Sequence, residues 1–453
     1  KLKYGEMRPY QSDSNVGDYC IVDGTPYYYA DWDVQDIYYS KAAPSQSHNL
    51  SVQGSSGKTN YYLSFGYDEK EGIMKVRPDE LKKYNVSVNV TTNLYDWLQV
   101  GARVNYSRKA YQRPDVYSST YQTLWRWGSF FIPSGTIDGY DTRLMAMRKQ
   151  ASDRKEITDL TRMNAFLKAE IIKGLTLNAD FTYAIQNLNS GYGIDWSGMP
   201  TPKYIVTKSN SAIWRDNSKQ NTWTLNAYAN YAKTFAKSHN LNVMVGANAE
   251  EVDYTYLYGY RKGLYDEAYP ELNLASQDGQ QINWSHTSRA SAGYFGRINY
   301  DYKGIYLLEL NGRYDGSSRF PHNDKWAFFP SASIGYRFSE EAYFAPLKKI
   351  VSNAKFRASY GEIGNEAIGD YMFEALISQR ENTSSTGYIY WVDGNGANAN
   401  RLTQYNMPKL VSKSLTWERI RTTDIGLDLG FLNNELTVGF DWYQRENRDM
   451  LAP

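Results

Sequence analysis

Cysteine is nearly absent. Cys20 stands alone, so no disulfide can close within the chain. The four histidines, His48, His239, His286 and His322, are scattered, with no HExxH pair and no Cys/His spacing that would hold zinc. No apolar run comes near the roughly 20 residues that a membrane helix needs. An excess of one charge is missing too. Lys and Arg number 50 against 49 Asp and Glu, a net +1, which argues against nucleic acid as the main partner. Gly57-Lys58-Thr59 has the end of a phosphate loop but not its start, because position 52 is Val52. Carboxylates are plentiful, yet no pair is set apart as acid and base, and nothing argues for an enzyme.

What is abundant is tyrosine. The chain holds 42 Tyr and 12 Trp among 453 residues. Amphipathic rings in that number suit a membrane interface or a sugar-stacking surface, and equally a Tyr-rich soluble β-protein. Alternation decides between these. In Lys83–Thr91 the residues Tyr84, Val86, Val88 and Val90 alternate with Lys83, Asn85, Ser87 and Asn89. Arg162–Ile171 sets Met163, Ala165, Leu167, Ala169 and Ile171 against Arg162, Asn164, Lys168 and Glu170. Ile305–Tyr314 sets Leu308, Leu310 and Tyr314 against Glu309, Asn311 and Arg313, with Asp315 continuing the polar set. A period of two, apolar against charged, is a strand with lipid or core on one side and water on the other.

The pattern recurs over about fourteen strands, and short connections alternate with long ones throughout. Lys173-Gly174 and Lys303-Gly304 are typical of the short ones. A soluble sandwich has no reason to sort its loop lengths so regularly, whereas a transmembrane barrel has short periplasmic turns and long external loops. The expected fold class is therefore all-β, a transmembrane antiparallel up-and-down β-barrel. Residues 1–46 read as an extracellular loop region and 47–453 as barrel strands, with long external loops at 111–155, 187–216, 259–286 and 365–413. This bookkeeping sends the first strand inward and the last one outward. At least one strand is then expected before Lys1 and more after Pro453.

Arg103, Asp180, Arg297 and their neighbours on the polar rows would wall a water-filled conduit, or merely solvate it. Trp125, Trp127, Tyr192, Trp196, Trp214 and Trp391 fall in the expected external loops, where rings can stack on a sugar or pack loop against loop. Around Tyr314–Pro330, Asp315, Gly316, Ser317, Arg319, Phe320 and Pro321 read as a loop-shaping motif. There Arg319 is expected to bridge to Asp315 and Phe320 to fill an apolar gap. Asp315-Gly316-Ser317-Ser318 lacks the alternating ligands of a calcium loop, which leaves a loop calcium as an open alternative and no other cofactor.

An ordered set of stretches resembles the SusC/RagA family of TonB-dependent outer-membrane transporters of Bacteroidetes. They are Asp31-Trp32, HNLSVQG at His48–Gly54, Thr59–Tyr67, YDGSSRFP at Tyr314–Pro321, Phe329-Pro330-Ser331, FRASYGEIGN at Phe356–Asn365, LTWE at Leu415–Glu418, Gly426-Leu427-Asp428 and DWYQRENRDML at Asp441–Leu451. The resemblance implies part of a barrel of the roughly 22-stranded, plugged class, with the plug lying before the matched region. It implies a SusD-like surface lipoprotein as lid, and energy drawn through TonB with ExbB and ExbD. The ligand would be a glycan or oligosaccharide, or else a peptide, carried through outer-membrane lipid. The other reading is a passive structural or adhesive barrel whose loops bind a surface and which transports nothing.

Overall fold

The computed structural model describes residues 39–75, 77–114, 153–192, 212–266, 269–277, 279–375, 377, 407–408 and 415–450. It also gives short backbone ladders within 11–28, 136–141 and 379–405. Fourteen strands form one sheet. They are β1 (Ser45–Ser56), β2 (Thr59–Glu71), β3 (Glu80–Tyr95) and β4 (Leu98–Pro114). There follow β5 (Asp153–Ile172), β6 (Leu175–Tyr192), β7 (Ala212–Phe235), β8 (His239–Lys262) and β9 (Gln281–Tyr302). Last come β10 (Tyr306–Ser317), β11 (Trp326–Tyr336), β12 (Val351–Asn365), β13 (Glu418–Phe431) and β14 (Leu436–Arg448). Each strand lies beside its sequence neighbours, an up-and-down order from β1 to β14. Among the described residues no helix is long and apolar enough to cross a membrane.

The expected strand count holds, but several strands run further than the alternation does. β6 continues to Tyr192 and β7 begins at Ala212, inside the expected loop 187–216. β8 reaches Lys262 and β9 starts at Gln281, inside 259–286. In these stretches the few apolar side chains, such as Ile282 and Trp284, are outnumbered by polar ones, while the backbone ladder persists. Residues 1–46 also hold more order than a loop, since Gln11–Asp13, Gly17–Val22 and Thr25–Tyr28 pair in sequence.

The chain divides into two compact units. The first comprises Lys1–Phe166, Thr182–Trp223 and Asp253–Thr287, the second Leu167–Phe181, Thr224–Val252 and Ser288–Pro453. In the first unit, register lines up Leu50, Phe65, Val86 and Tyr106 across β1–β4, then Val52, Leu63, Val88 and Val104. These apolar rows are exposed: Leu50 is 68% and Val52 53% open. Contiguous bare apolar surface of this kind is what a lipid-facing wall presents. The intervening rows are polar, with Ser51, Ser64, Ser87 and Asn105 opposite one another. A slip of one residue would turn every apolar side chain to the wrong face, so the pattern pins the register.

The second unit shows the same contrast and frames it with aromatic rows. Tyr302, Tyr306, Tyr336, Phe356, Leu427 and Phe440 line up across β9–β14. Tyr306 and Tyr336 stack at 5.1 Å. Tyr336 also shares a 2.7 Å hydrogen bond with Tyr343, in the connection after β11, which pushes the Tyr343 phenol up to about 12. Eight residues along β10, Tyr314 lies opposite Tyr294 and Phe328, with Trp326 stacked on it at 5.1 Å. At about 3.4 Å per residue the two rows are roughly 27 Å apart along the strand, or about 21 Å along the normal at a 40° tilt. That is close to the ~25 Å apolar band of outer-membrane barrels, whose edges carry aromatic girdles. The short turn below the lower row has both Lys303 and Gly304 at positive φ, and Ile305 N–H donates to Tyr302 O at 2.9 Å to close it.

Candidate functional site

The loop motif is an internal knot. Asp315 accepts two bonds from Arg313, at 2.8 and 3.0 Å. Gly316 lies opposite Trp326, and a Cβ there would come within 2.6 Å of the indole, so only glycine fits. Ser317 N–H donates to Lys325 O at 3.1 Å, and its Oγ accepts from Arg319 N–H. Phe320 is fully buried against Trp417, whose indole N–H donates to Lys325 O at 2.9 Å. Pro321 O accepts from Asp324 N–H and starts a short 3-10 turn. Phe320 thus fills an apolar gap, as expected.

The expected Arg319–Asp315 bridge does not form. Arg319 donates through Nε to Asp370 Oδ1 (2.9 Å) and through Nη1 to Glu366 O (3.0 Å). The reason is competition, because Arg313 sits two residues before Asp315 on the same strand face and takes both its oxygens. The motif therefore ties the segment after β12 to the loop after β10. Tyr371 adds to this clamp by donating to Ser288 O and accepting from Ser288 N–H, both at 3.1 Å.

The polar rows of the second unit form a charged wall. Arg297 Nε donates to Asn311 Oδ1 at 2.8 Å, and Asn311 Nδ2 to Glu309 Oε1 at 2.8 Å. Arg313 lies over the Phe295 ring at 5.4 Å and reaches Asn248 Oδ1 at 3.1 Å. Asp180 accepts from Asn226, and Glu250 from Thr224. Nearer the short turns, Arg357 contacts Asp424 and Asp428 at 3.2 Å each, and also Asp441. Its guanidinium lies over Gly426, where a Cβ would come within 2.5 Å of Cζ. Two cavities of about 530 and 590 Å³ open on these rows, one touching Glu309, Arg357 and Asp424, the other Arg313, Asp315 and Glu362. In the first unit, Arg103 lies 4.5 Å over the Phe166 ring, and Asn164 donates to Thr182. A wall of fixed, opposed charges and amides can hydrogen-bond a polar solute along its length.

A family model described as "TonB dependent receptor-like, beta-barrel" matches residues 21–453. The chain belongs to this family. The fold class is accordingly a transmembrane, antiparallel, up-and-down barrel, and the SusC/RagA resemblance carried by the motif set is borne out. TonB-dependent receptor P26 of Formosa agariphila is 28% identical over 439 residues, covering 90% of this chain and 40% of that protein. TonB-dependent receptor SusC of Bacteroides thetaiotaomicron is 24% identical over 460 residues, covering 93% and 43%. The RagAB peptide transporter structure superposes with a TM-score of 0.75 at 21% identity, over 93% of this chain and 46% of that one. The chain thus spans less than half the length of these relatives.

Within this TonB-dependent receptor barrel, Trp125, Trp127, Trp196 and Trp391 lie outside the described residues. Tyr192 is the last residue of β6, and its side chain also lies outside them. Trp214 packs on Tyr260 at 5.0 Å. One feature was missed as a candidate in the sequence. Tyr254, Tyr256, Tyr258 and Tyr260 fall on one face of β8, and Tyr256 donates to Asp216 at 2.9 Å. Tyrosine at every second position of Asp253–Tyr260 was the available signal.

Proposed function

We propose that the chain is barrel wall of a TonB-dependent importer in the bacterial outer membrane, and that the importer takes up a glycan or glycan-derived oligomer. It works with a SusD-like surface lipoprotein as lid and draws energy through TonB with ExbB and ExbD. The observation that carries this reading is the two-faced sheet. Exposed apolar rows framed by aromatics lie on one face, and charged groups fixed by one another lie on the other. A purely adhesive barrel has no use for Arg297, Arg313 and Arg357 held in register along its polar face. The same fixed charges favour peptide as the second reading, since a peptide carries charged termini that a guanidinium can pair.

Uptake by cells making the full-length protein tests the proposal. Fluorescent oligosaccharide should accumulate, and accumulation should stop when the proton gradient is collapsed. A labelled peptide that accumulates in place of the sugar establishes the second reading. Surface binding of either probe with no gradient-dependent uptake overturns import and leaves the adhesive barrel.

A further inference from the structure

On β12–β14 the apolar face of the second unit ends in arginine. Tyr360, Ile425 and Trp442 are exposed on that face. Ile425 lies opposite Trp442, and Tyr360 opposite Ala332, which in turn faces Leu310. Two residues further out at each step, the same face carries Glu362 on β12, then Thr423, Arg421 and Arg419 on β13, and Gln444, Glu446 and Arg448 on β14. The pairing runs through these residues without a register shift, so alternation carries the face outward unbroken. Arg357 and its carboxylates belong to the other face, since Arg357 pairs with Gly426 and Gly426 with Asp441, one step out of phase with Ile425 and Trp442. This end of the strands carries the long 366–417 connection, the external end in barrels of this class. Eight residues out from the lower aromatic row, β9–β11 reach Tyr294, Tyr314 and Phe328, whereas β13 and β14 reach Arg419 and Arg448. Guanidinium groups thus continue the outer aromatic edge at the depth of lipid headgroups.

The charges in this patch do not balance. Glu362 is nearly buried. It accepts from Tyr360 OH at 2.6 Å and from Arg419 Nη1 at 3.0 Å, and Arg421 Nε lies 2.8 Å from it. Arg419 also donates to Phe328 O at 3.2 Å. Arg448 pairs with the half-exposed Glu446 of its own strand at 3.0 Å. Three guanidiniums share two carboxylates, which leaves one positive charge over. Arg419 and Arg448 also stand directly opposite each other, where cross-strand Cβ atoms are about 4.5–5.5 Å apart and like charges repel. An anion held by both relieves that repulsion. Each guanidinium has more N–H groups than its carboxylate engages, in a fork that matches phosphate oxygens. Inward from the arginines come Thr423 opposite Gln444, then Ile425 opposite Trp442. Cation, neutral hydrogen-bonding group and apolar ring follow one another in the order in which a lipid presents phosphate, linkage and acyl chain.

We propose that Arg419, Arg421 and Arg448 bind a phosphate group of a membrane lipid whose acyl chains lie along Tyr360, Ile425 and Trp442. The occupant is a lipid because the site is continuous with the lipid-facing wall, and the proposal holds whatever the barrel carries. The test is native mass spectrometry of the full-length protein in neutral detergent, titrated with diphosphoryl lipid A and, separately, with the same lipid stripped of its phosphates. The phosphorylated lipid should bind and the stripped one should bind at least tenfold more weakly. Arg448→Gln should weaken binding of the phosphorylated lipid about tenfold or more, the loss of one charge-assisted contact. Glu446→Gln removes the anion that competes for Arg448 and should strengthen it. Opposite signs at two neighbouring side chains are an outcome that simple loss of folding does not produce. If Arg448→Gln does not fold, the sign of the Glu446→Gln effect decides. Equal binding of the two lipids, unchanged binding in the variants, or displacement of the lipid by an equal concentration of inorganic phosphate overturns the proposal.

Discussion

Individual residues here act mostly by holding other residues. Phe320 is fully buried with Phe329 and Trp417, and Ile368 and Leu415 pack around them. Phe320→Ala should cost about 3–5 kcal/mol of stability, as buried Phe truncations do. A fall in the temperature at which gel mobility shifts would register it. Arg319→Lys keeps the charge but loses the fork that spans Asp370 and Glu366 O, so a smaller loss of about 1.5–3 kcal/mol is expected. Equal losses for the two variants would mean the ion pair, not the aromatic cluster, holds the loop. Arg357 poses a different question, since it contacts three carboxylates. Arg357→Met should lower the unfolding temperature by leaving Asp424, Asp428 and Asp441 to repel one another. Asp441→Asn in the same chain should then restore part of the loss, a non-additivity that neighbours in one network show. Simple addition of the two losses would mean that the carboxylates do not feel each other.

At the scale of the strand, alternation is the organising fact, and it decides what could be read in advance. β3 was legible because Tyr84, Val86, Val88 and Val90 contrast with polar neighbours over one continuous run. The turn at Lys303-Gly304 was legible because glycine tolerates the positive φ it needs. The outer parts of β8 and β9 were not, because Gly259, Arg261 and Lys262 end the contrast on β8 and only Ile282 and Trp284 carry it on outer β9. The Arg319–Asp370 pair was not legible either. Its partners are 51 residues apart in an irregular region, where no periodicity links them. The loop tryptophans were singled out by ring chemistry alone, while the β8 tyrosine ladder was counted only as strand. The face assignment itself is open to test. Leu63 is 49% exposed on the apolar row, and Ser64 beside it belongs to the polar row. Leu63→Arg should cost about 2–4 kcal/mol in refolding titrations from urea into lipid vesicles, the midplane penalty for a lipid-facing charge, while Ser64→Arg should cost far less. Equal penalties would remove the distinction between the two faces.

At the scale of the whole molecule, the ladder order runs from β1 to β14, and these two strands stand at its ends. Every residue of β14 is exposed. In water a bare strand margin invites pairing, and in lipid it is worse, because each unsatisfied N–H or C=O costs several kcal/mol. Charged side chains, the usual protection of an edge, are few on the membrane part of β14, where Leu436, Val438, Phe440 and Trp442 alternate outward. Both margins must therefore find backbone partners before the chain can rest in a bilayer. Expressed as these 453 residues alone, the chain is expected to aggregate, with no heat-modifiable band on a gel. The particle purified from the membrane should instead yield, by denaturing mass spectrometry, peptides from polypeptide that pairs with both margins. A lone 52.0 kDa species that stays folded and heat-modifiable in detergent would show that the margins satisfy themselves, and would sink the demand for outside partners.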